Sequence, residues 1–448
     1  MPTSPSDFLR RHGFVFALVI LFVGLSAKYS RKALHNRSAL SRWLPQIEAM
    51  EKGEDISRRF NYPNPPIMAI LLEPLTELPP VVAALTWFYL KAALAVLALL
   101  WTFRLVETPN RPFPAWAEAL TIVLSLRPIM GDLDHGNVNL FILFLVVAAL
   151  TAYRKRHDLL AGCTLGLAIA CKVTPALFIP YFLWKRSGRT LAGCVAGLGL
   201  FLWPGLVPAA RLGWNGNQQQ LTSWYSVMVH PFVVEGKVWS EHNNQSLSGV
   251  VYRLATPSPS FSTYVDDVYT PLRYDNVLEL STFQARLLVK GCLGLFALVI
   301  LWTCRTPTEP RRTDWQSVLP TRQGWRLSAE FALVVLGMLL FSERTWKHHC
   351  VTFVLPFAVL SYHLAVWTRG TAARAGLAGA LAMVVLLMAS TSTGTGLWPD
   401  HLAVLAQVYG AYVVAYLILG IALVVLLHRH DDRAAVELAS ATPVHEAA

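Results

Sequence analysis

Between Arg127 and Arg186 the chain sets residues able to handle protons and phosphates against an apolar background. The string RPIMGDLDHGNVN carries Asp132, Asp134, His135, Asn137 and Asn139, and an apolar run separates it from the basic YRKRHD. A second apolar run leads to Lys172, shortly before Pro175, and a third ends on Lys185 and Arg186. Carboxylates beside a His can move a proton or hold a divalent ion, and a Lys between short apolar runs can hold an anion. A charge at mid-bilayer costs about 2.5–3.5 kcal/mol, so such groups belong at helix ends or in cavities. The Lys172 stretch reads as a broken hairpin, which membranes tolerate where protein or water covers the freed backbone. The Asp132–Asn139 cluster and Lys172 would face one side, and the basic clusters the other.

Two later strings offer more chemistry. SERTWKHH places Arg344, Lys347, His348 and His349 at a helix start. Adjacent His residues cannot share a helix face, so one of His348 and His349 enters a site, to hold phosphate or orient a base, and the other faces lipid headgroups. Asn243, Asn244, Gln245 and Ser246 carry neutral donors and acceptors suited to sugar hydroxyls, or cap the helix that closes a loop. Asp132 and Asp134 form a D-x-D that is either a divalent-metal pair or a capping turn. Trp214, Trp224, Tyr225 and Trp239 could stack on sugar faces or sit at the membrane surface.

The elements that must position these groups follow from composition. The chain has 448 residues, 54% hydrophobic and 15% charged, with apolar runs recurring from Phe14 to Leu427. That is an all-α polytopic integral membrane protein. The net charge of +11 does not call for nucleic acid, because Lys and Arg gather at helix ends as the positive-inside rule requires. The six Cys show no metal spacing, and no disulfide framework is expected.

The run Phe14–Ala27 has the length of a signal-peptide core, but reads better as an uncleaved first helix with a cytosolic N-terminus. External loops are expected at about 30–80 and 208–283, the first holding the proline-rich FNYPNPPIMAILLEPLTELPP and the second partly helical. Arg305–Arg326 is a basic cytosolic loop. About twelve crossings form one domain over 1–428, with helices expected at about Cys350–Trp367 and Leu402–His428. The charged, Ala-rich tail 429–448 is expected to be disordered and cytosolic.

Five strings together resemble glycosyltransferase family 87, a group of multi-spanning GT-C enzymes typified by polyprenol-phosphate-mannose-dependent mannosyltransferases. YPNPPIMAILLEPLTELPP resembles that family's proline signature, and HGNVN its GQxN element with Asn137 in place of Gln. AGCTLGLAIACKVTPALFIPYFLWKR resembles its small-residue helix, K-x-x-P and basic end. NQSLSGVVYRL and SERTWKHH resemble its NQSL…R and S-x-x-W-x-H-H elements.

The resemblance implies a GT-C-like fold and sugar transfer, mannose first, on the external face of the plasma membrane. The co-substrate would be a polyprenyl-phosphate sugar, and the acceptor a membrane lipid or glycan. It also implies an acidic base early in the first external loop. Here that loop begins KYSRKALHNRS, and no Asp or Glu occurs between Asp7 and Glu48. Glu48, Glu51, Glu54 and Asp55 are the nearest acids, with a solvated amphipathic helix as their plainer reading. Glu48 and Asp134 are the candidate bases, His349 a catalytic partner, and Asp132 with Asp134 the metal pair if there is one. Lys172, Asn137, Asn139, His135, Asn244, Gln245, Arg344 and His348 would bind substrate. The competing readings are a lipid or solute transporter or flippase, which broken helices and an intramembrane Lys also suit, and an inactive family member.

Overall fold

A computed structural model describes residues 5–441 except 109, 267, 309–321, 323, 395 and 397. Helix α1 (Pro5–Leu34) ends at a turn whose Ser38 side chain caps α2 (Ala39–Glu51), accepting the Ser41 N–H at 3.0 Å. The proline-rich run then breaks into short pieces, Ile56–Phe60, Pro66–Leu72 and Glu73–Leu75, as proline requires. Pro79 and Pro80 open α3 (Pro80–Val106), where a missing N–H costs nothing. Next come α4 (Ala115–His135), α5 (Asn139–Arg154), α6 (Asp158–Cys171), the broken segment Thr174–Trp184, and α7 (Gly188–Phe201). After the polar excursion, which holds α8 (Leu247–Ala255), the chain forms α9 (Thr282–Thr303), α10 (Trp325–Leu340), α11 (Val354–Val366), α12 (Thr371–Ser390) and α13 (Ala411–Ala441).

Among the described residues six helical stretches are long and apolar enough to cross a membrane: Pro80–Val106, Gly188–Leu212, Thr282–Thr303, Lys347–Val366, Thr371–Ser390 and Ala411–His428. The protein is an all-α polytopic membrane protein, and α1, α4, α5, α6 and α10 pack against these helices. The central helix α10 is buried on nearly every side, whereas α9 turns Leu287, Leu295 and Leu298 outward as a lipid-facing helix does.

One end collects cations. Arg154 reaches the Arg104 carbonyl, Lys185 pairs with buried Glu330 at 2.6 Å, and Arg322 pairs with Asp158. The other end carries the polar cluster and, packed over it, the long excursion.

Helices α6 and α7 meet through glycines spaced four apart on each side. A Cβ added at Gly162 would lie 1.9 Å from the Thr190 carbonyl oxygen, and one at Gly193 2.2 Å from that of Leu159. Only paired small residues allow that approach. The contact fixes α6, whose end delivers Lys172.

Several expected boundaries moved. The helix expected from about Cys350 begins instead as a 3₁₀ turn, Lys347–Phe353. The single helix expected over Leu402–His428 is broken at Gly410 (φ +72°), separating Asp400–Val408 from α13. The excursion holds an antiparallel hairpin, β1 (Pro259–Val265) with β2 (Val268–Tyr274), turned at Asp266. Helix α13 continues through Ala441, inside the tail expected to be disordered; residues 442–448 lie outside the described residues, as does most of the expected basic loop, 309–321 and 323.

Candidate functional site

The polar end of the bundle holds a cavity of about 660 Å³. Its walls come from α2 (Arg42, Trp43, Gln46), the proline-rich loop (Asn61, Asn64), the α4–α5 turn (Asn137), the break after α6 (Lys172, Val173, Thr174), the excursion (Trp224, Met228), and the stretch from Gly337 to His349. Asn137, Lys172 and the Glu343–His349 stretch therefore converge on one hollow, although they are far apart in the chain.

Lys172 enters the cavity because α6 stops there: its backbone is extended (φ −158°, ψ 121°), which turns the side chain out of the helix axis. A buried chain of polar contacts aims it. Lys172 Nζ donates to Asn139 Oδ1, and the Asn139 amide nitrogen donates to Asp132 Oδ1 at 2.9 Å. Asp132 Oδ2 accepts from the Leu140 N–H at 3.3 Å and pairs with Lys91 Nζ at 3.2 Å, while Lys91 also donates to the Asp132 carbonyl at 2.7 Å. Lys91 and Asp132 are both fully buried. Asp132 thus fixes which way the Asn139 amide points, and Asn139 presents its oxygen to Lys172. Sequence reading passed over Lys91, yet it is the one charge between Pro80 and Phe103. A charge inside an apolar helix is itself a sign of a buried partner.

The histidines divide as adjacent residues on a tight turn must. His349 lines the cavity. Its Nδ1 lies 3.4 Å from the Trp346 N–H, a contact that suits the neutral tautomer with its proton on Nε2. His348 is buried beneath; its Nε2 accepts from the Asn137 amide at 3.1 Å, and its ring centroid lies 4.4 Å from that of His135. His348 therefore faces protein, where a lipid-headgroup position was expected for one of the pair. His135 is exposed at the end of α4.

Glu343 is the carboxylate on the cavity wall among the described residues. It pairs with Arg344 at 2.9 Å, whose guanidinium stacks over Phe232 and Trp239. Burial nonetheless pushes the Glu343 carboxyl up to about 7, against the pull of Arg344. Sequence reading missed it, although it stands inside the quoted SERT string.

Asn244 and Gln245 are fully buried rather than lining the cavity. Asn244 donates to the carbonyls of Trp239 (2.7 Å) and Glu343 (3.0 Å), and its oxygen accepts from the N–H of Ser246 and Thr345. Gln245 donates to the carbonyls of His242 and Gln407, and its backbone N–H reaches Thr345 O at 2.6 Å. Arg253 is buried too, with its guanidinium held by carbonyls of Val408, Ser240, Glu241 and Gln407. With their polar atoms committed to protein, these residues clamp the loop that carries Glu343 and Arg344 and are not free to meet sugar hydroxyls.

The expected acids lie elsewhere. Arg42, Trp43 and Gln46 put one face of α2 on the cavity, and Glu48, exposed, falls on the opposite face by helical phase. Asp134 pairs with Lys28 (2.9 Å) and Lys32 of α1 and borders a separate hollow of about 240 Å³. Nor does the D-x-D pair fit a divalent ion. The Asp132 oxygens are taken by an ammonium, an amide and a backbone N–H, those of Asp134 by two ammonium groups, and no cluster of three His, Cys, Asp or Glu occurs among the described residues.

A lysine, an arginine and an imidazole N–H, with one carboxylate of raised pKa in a half-enclosed cavity, can hold a phosphate leaving group and deprotonate a hydroxyl. Comparison with known proteins bears on that chemistry. The chain is 27% identical over 374 residues to the polyprenol-phosphate-mannose-dependent alpha-(1-2)-phosphatidylinositol mannoside mannosyltransferase of Mycobacterium tuberculosis, covering 79% of this chain and 75% of that protein. It is 27% identical over 380 residues to the protein of the same description from Mycolicibacterium smegmatis, covering 80% and 75%. No solved structure matches it. The model of Glycosyltransferase family 87 matches residues 62–320, a span running from the proline-rich loop through Lys172 and the NQSL element, so this membrane protein is a glycosyltransferase rather than a transporter: the chain belongs to glycosyltransferase family 87.

Proposed function

We propose that the chain moves a mannosyl group from a polyprenyl-phosphate donor to a hydroxyl of a phosphatidylinositol-mannoside-like glycolipid, in the cavity at the polar end. The observation that carries this reading is the convergence of Lys172, Arg344, His349 and Glu343 on one 660 Å³ hollow. Lys172, Arg344 and the His349 Nε2 proton hold the donor phosphate. Glu343 accepts the proton of the acceptor hydroxyl as its oxygen bonds to the anomeric carbon. The bond from that carbon to the phosphate oxygen breaks, and polyprenyl phosphate leaves as the anion the cations stabilise. The apolar wall of Val173, Leu177, Met338 and Phe341 suits the first prenyl units. Asn137 lines the cavity and keeps a place in sugar binding, and Asn139 acts through Lys172.

The basic end faces the cytosol on this reading, since cationic loops stay inside, and the cavity opens on the outer face. One transmembrane domain spans 1–428.

The test is transfer of labelled mannose from polyprenyl-phosphate mannose to phosphatidylinositol mannosides by the reconstituted full chain. The reading predicts a lengthened product, and a loss of at least a hundredfold in Lys172→Ala. No transfer by the folded wild-type chain would refute it.

A further inference from the structure

A second hollow, of about 500 Å³, lies along one face of α1. Lys28, Arg31, Lys32 and His35 recur at helical spacing, and Arg37 joins them from the next turn. Asp134 neutralises Lys28 and Lys32 only in part, and the side chains of Arg31 and Arg37 make no ion pair among the described residues. Positive-inside sorting does not account for these cations, because they lie at the cavity end of the bundle, away from the basic loops.

Two features say what would sit there. Lower on α1, Val19, Ile20 and Val23 are exposed, so the groove stands at headgroup level above a lipid-facing helix. The chain then runs from Arg37 directly to Ala39 and Arg42, which line the site cavity. A lipid whose tails lie on α1 would thus have its phosphate at Arg31 and Arg37 and its headgroup directed over α2 toward Glu343.

We propose that this groove seats the phosphodiester of the membrane-anchored acceptor, apart from the donor-phosphate position at Lys172 and Arg344; the proposal rests on the transfer reading above. Arginine forks suit a phosphodiester, and basic residues near a membrane surface attract anionic lipid.

Arg31→Gln/Arg37→Gln in the full chain, in nanodiscs of uncharged lipid, tests it. Both side chains are exposed, so the fold is retained. With a phosphatidylinositol-mannoside acceptor, KM for the acceptor rises about tenfold, while kcat and the donor KM stay within about twofold. A glycosyl diacylglycerol with the same mannose head and no phosphodiester has a high KM in both proteins. Native mass spectrometry, which needs no turnover, finds phosphatidylinositol retained by the wild type and lost from the variant. An unchanged acceptor KM, a rise in donor KM instead, or an equal rise for both acceptors overturns the proposal. A wild type that retains phosphatidylinositol through these arginines but transfers no mannose refutes the transfer reading while upholding the groove.

Discussion

Asp132→Asn is nearly isosteric but leaves the Lys91 ammonium buried without its countercharge. Both side chains are fully buried and 3.2 Å apart, and breaking such a pair costs about 3–5 kcal/mol. Thermal unfolding in detergent should therefore show a marked loss of stability. Replacing both members with apolar residues, Lys91→Met/Asp132→Leu, removes the stranded charge and should recover part of that stability, the remainder being the cost of leaving the Asn139 amide and the Leu140 N–H without their acceptor, about 1–3 kcal/mol each. Activity should not return with it. Without Asp132, nothing fixes the Asn139 amide, and Lys172 loses the oxygen that aims it. A hydrogen bond to a charged group contributes about 1.5–3 kcal/mol, so mannosyl transfer should stay roughly ten- to a hundredfold down. A double variant that is both stable and as active as wild type would refute the positioning argument.

Lys172→Ala should remove a phosphate contact: donor KM rises and kcat falls, while Lys172→Arg recovers part of the loss, as initial rates at varied donor would show. Gly193→Leu drives a side chain into the Leu159 backbone and should lower stability by several kcal/mol (about 3 or more), read as loss of folded protein on gel filtration. Asn244→Ala unpins the Glu343 and Thr345 backbone and should cut kcat more than KM, with an unfolding midpoint a few degrees lower. Because Glu343 must be ionised to act as a base and its carboxyl sits near 7, the wild-type rate should rise with pH through about 7 and level off above it.

The sequence made the membrane class, the break at Lys172 and the split of the histidine pair legible, because hydropathy, proline and helical phase are local properties. It also displayed the glycine spacing that brings α6 and α7 together. What it hid depends on packing between distant segments. The phase of α2 against the bundle, set by Trp43 and Ile47, turns Glu48 away from the cavity. Lys91 meets Asp132 only once α3 crosses α4, and Asn244 meets Glu343 only once the excursion folds back. Some signals were present and underweighted. PSFSTYV and VYTPLRY alternate around two Asp residues as a hairpin does, and Glu343 was overshadowed by the histidines beside it.

On the reading proposed here, chemistry occurs on the Glu343 side of α2 and not on the Glu48 side. Initial rates of mannosyl transfer for Glu343→Gln and Glu48→Gln, measured side by side in the same nanodiscs, address it most directly. A general base contributes roughly 10²–10⁴-fold, so Glu343→Gln should lose at least a hundredfold in kcat and the rise with pH through about 7, while Glu48→Gln stays within about twofold of wild type. A silent Glu343→Gln beside a disabled Glu48→Gln would contradict the account.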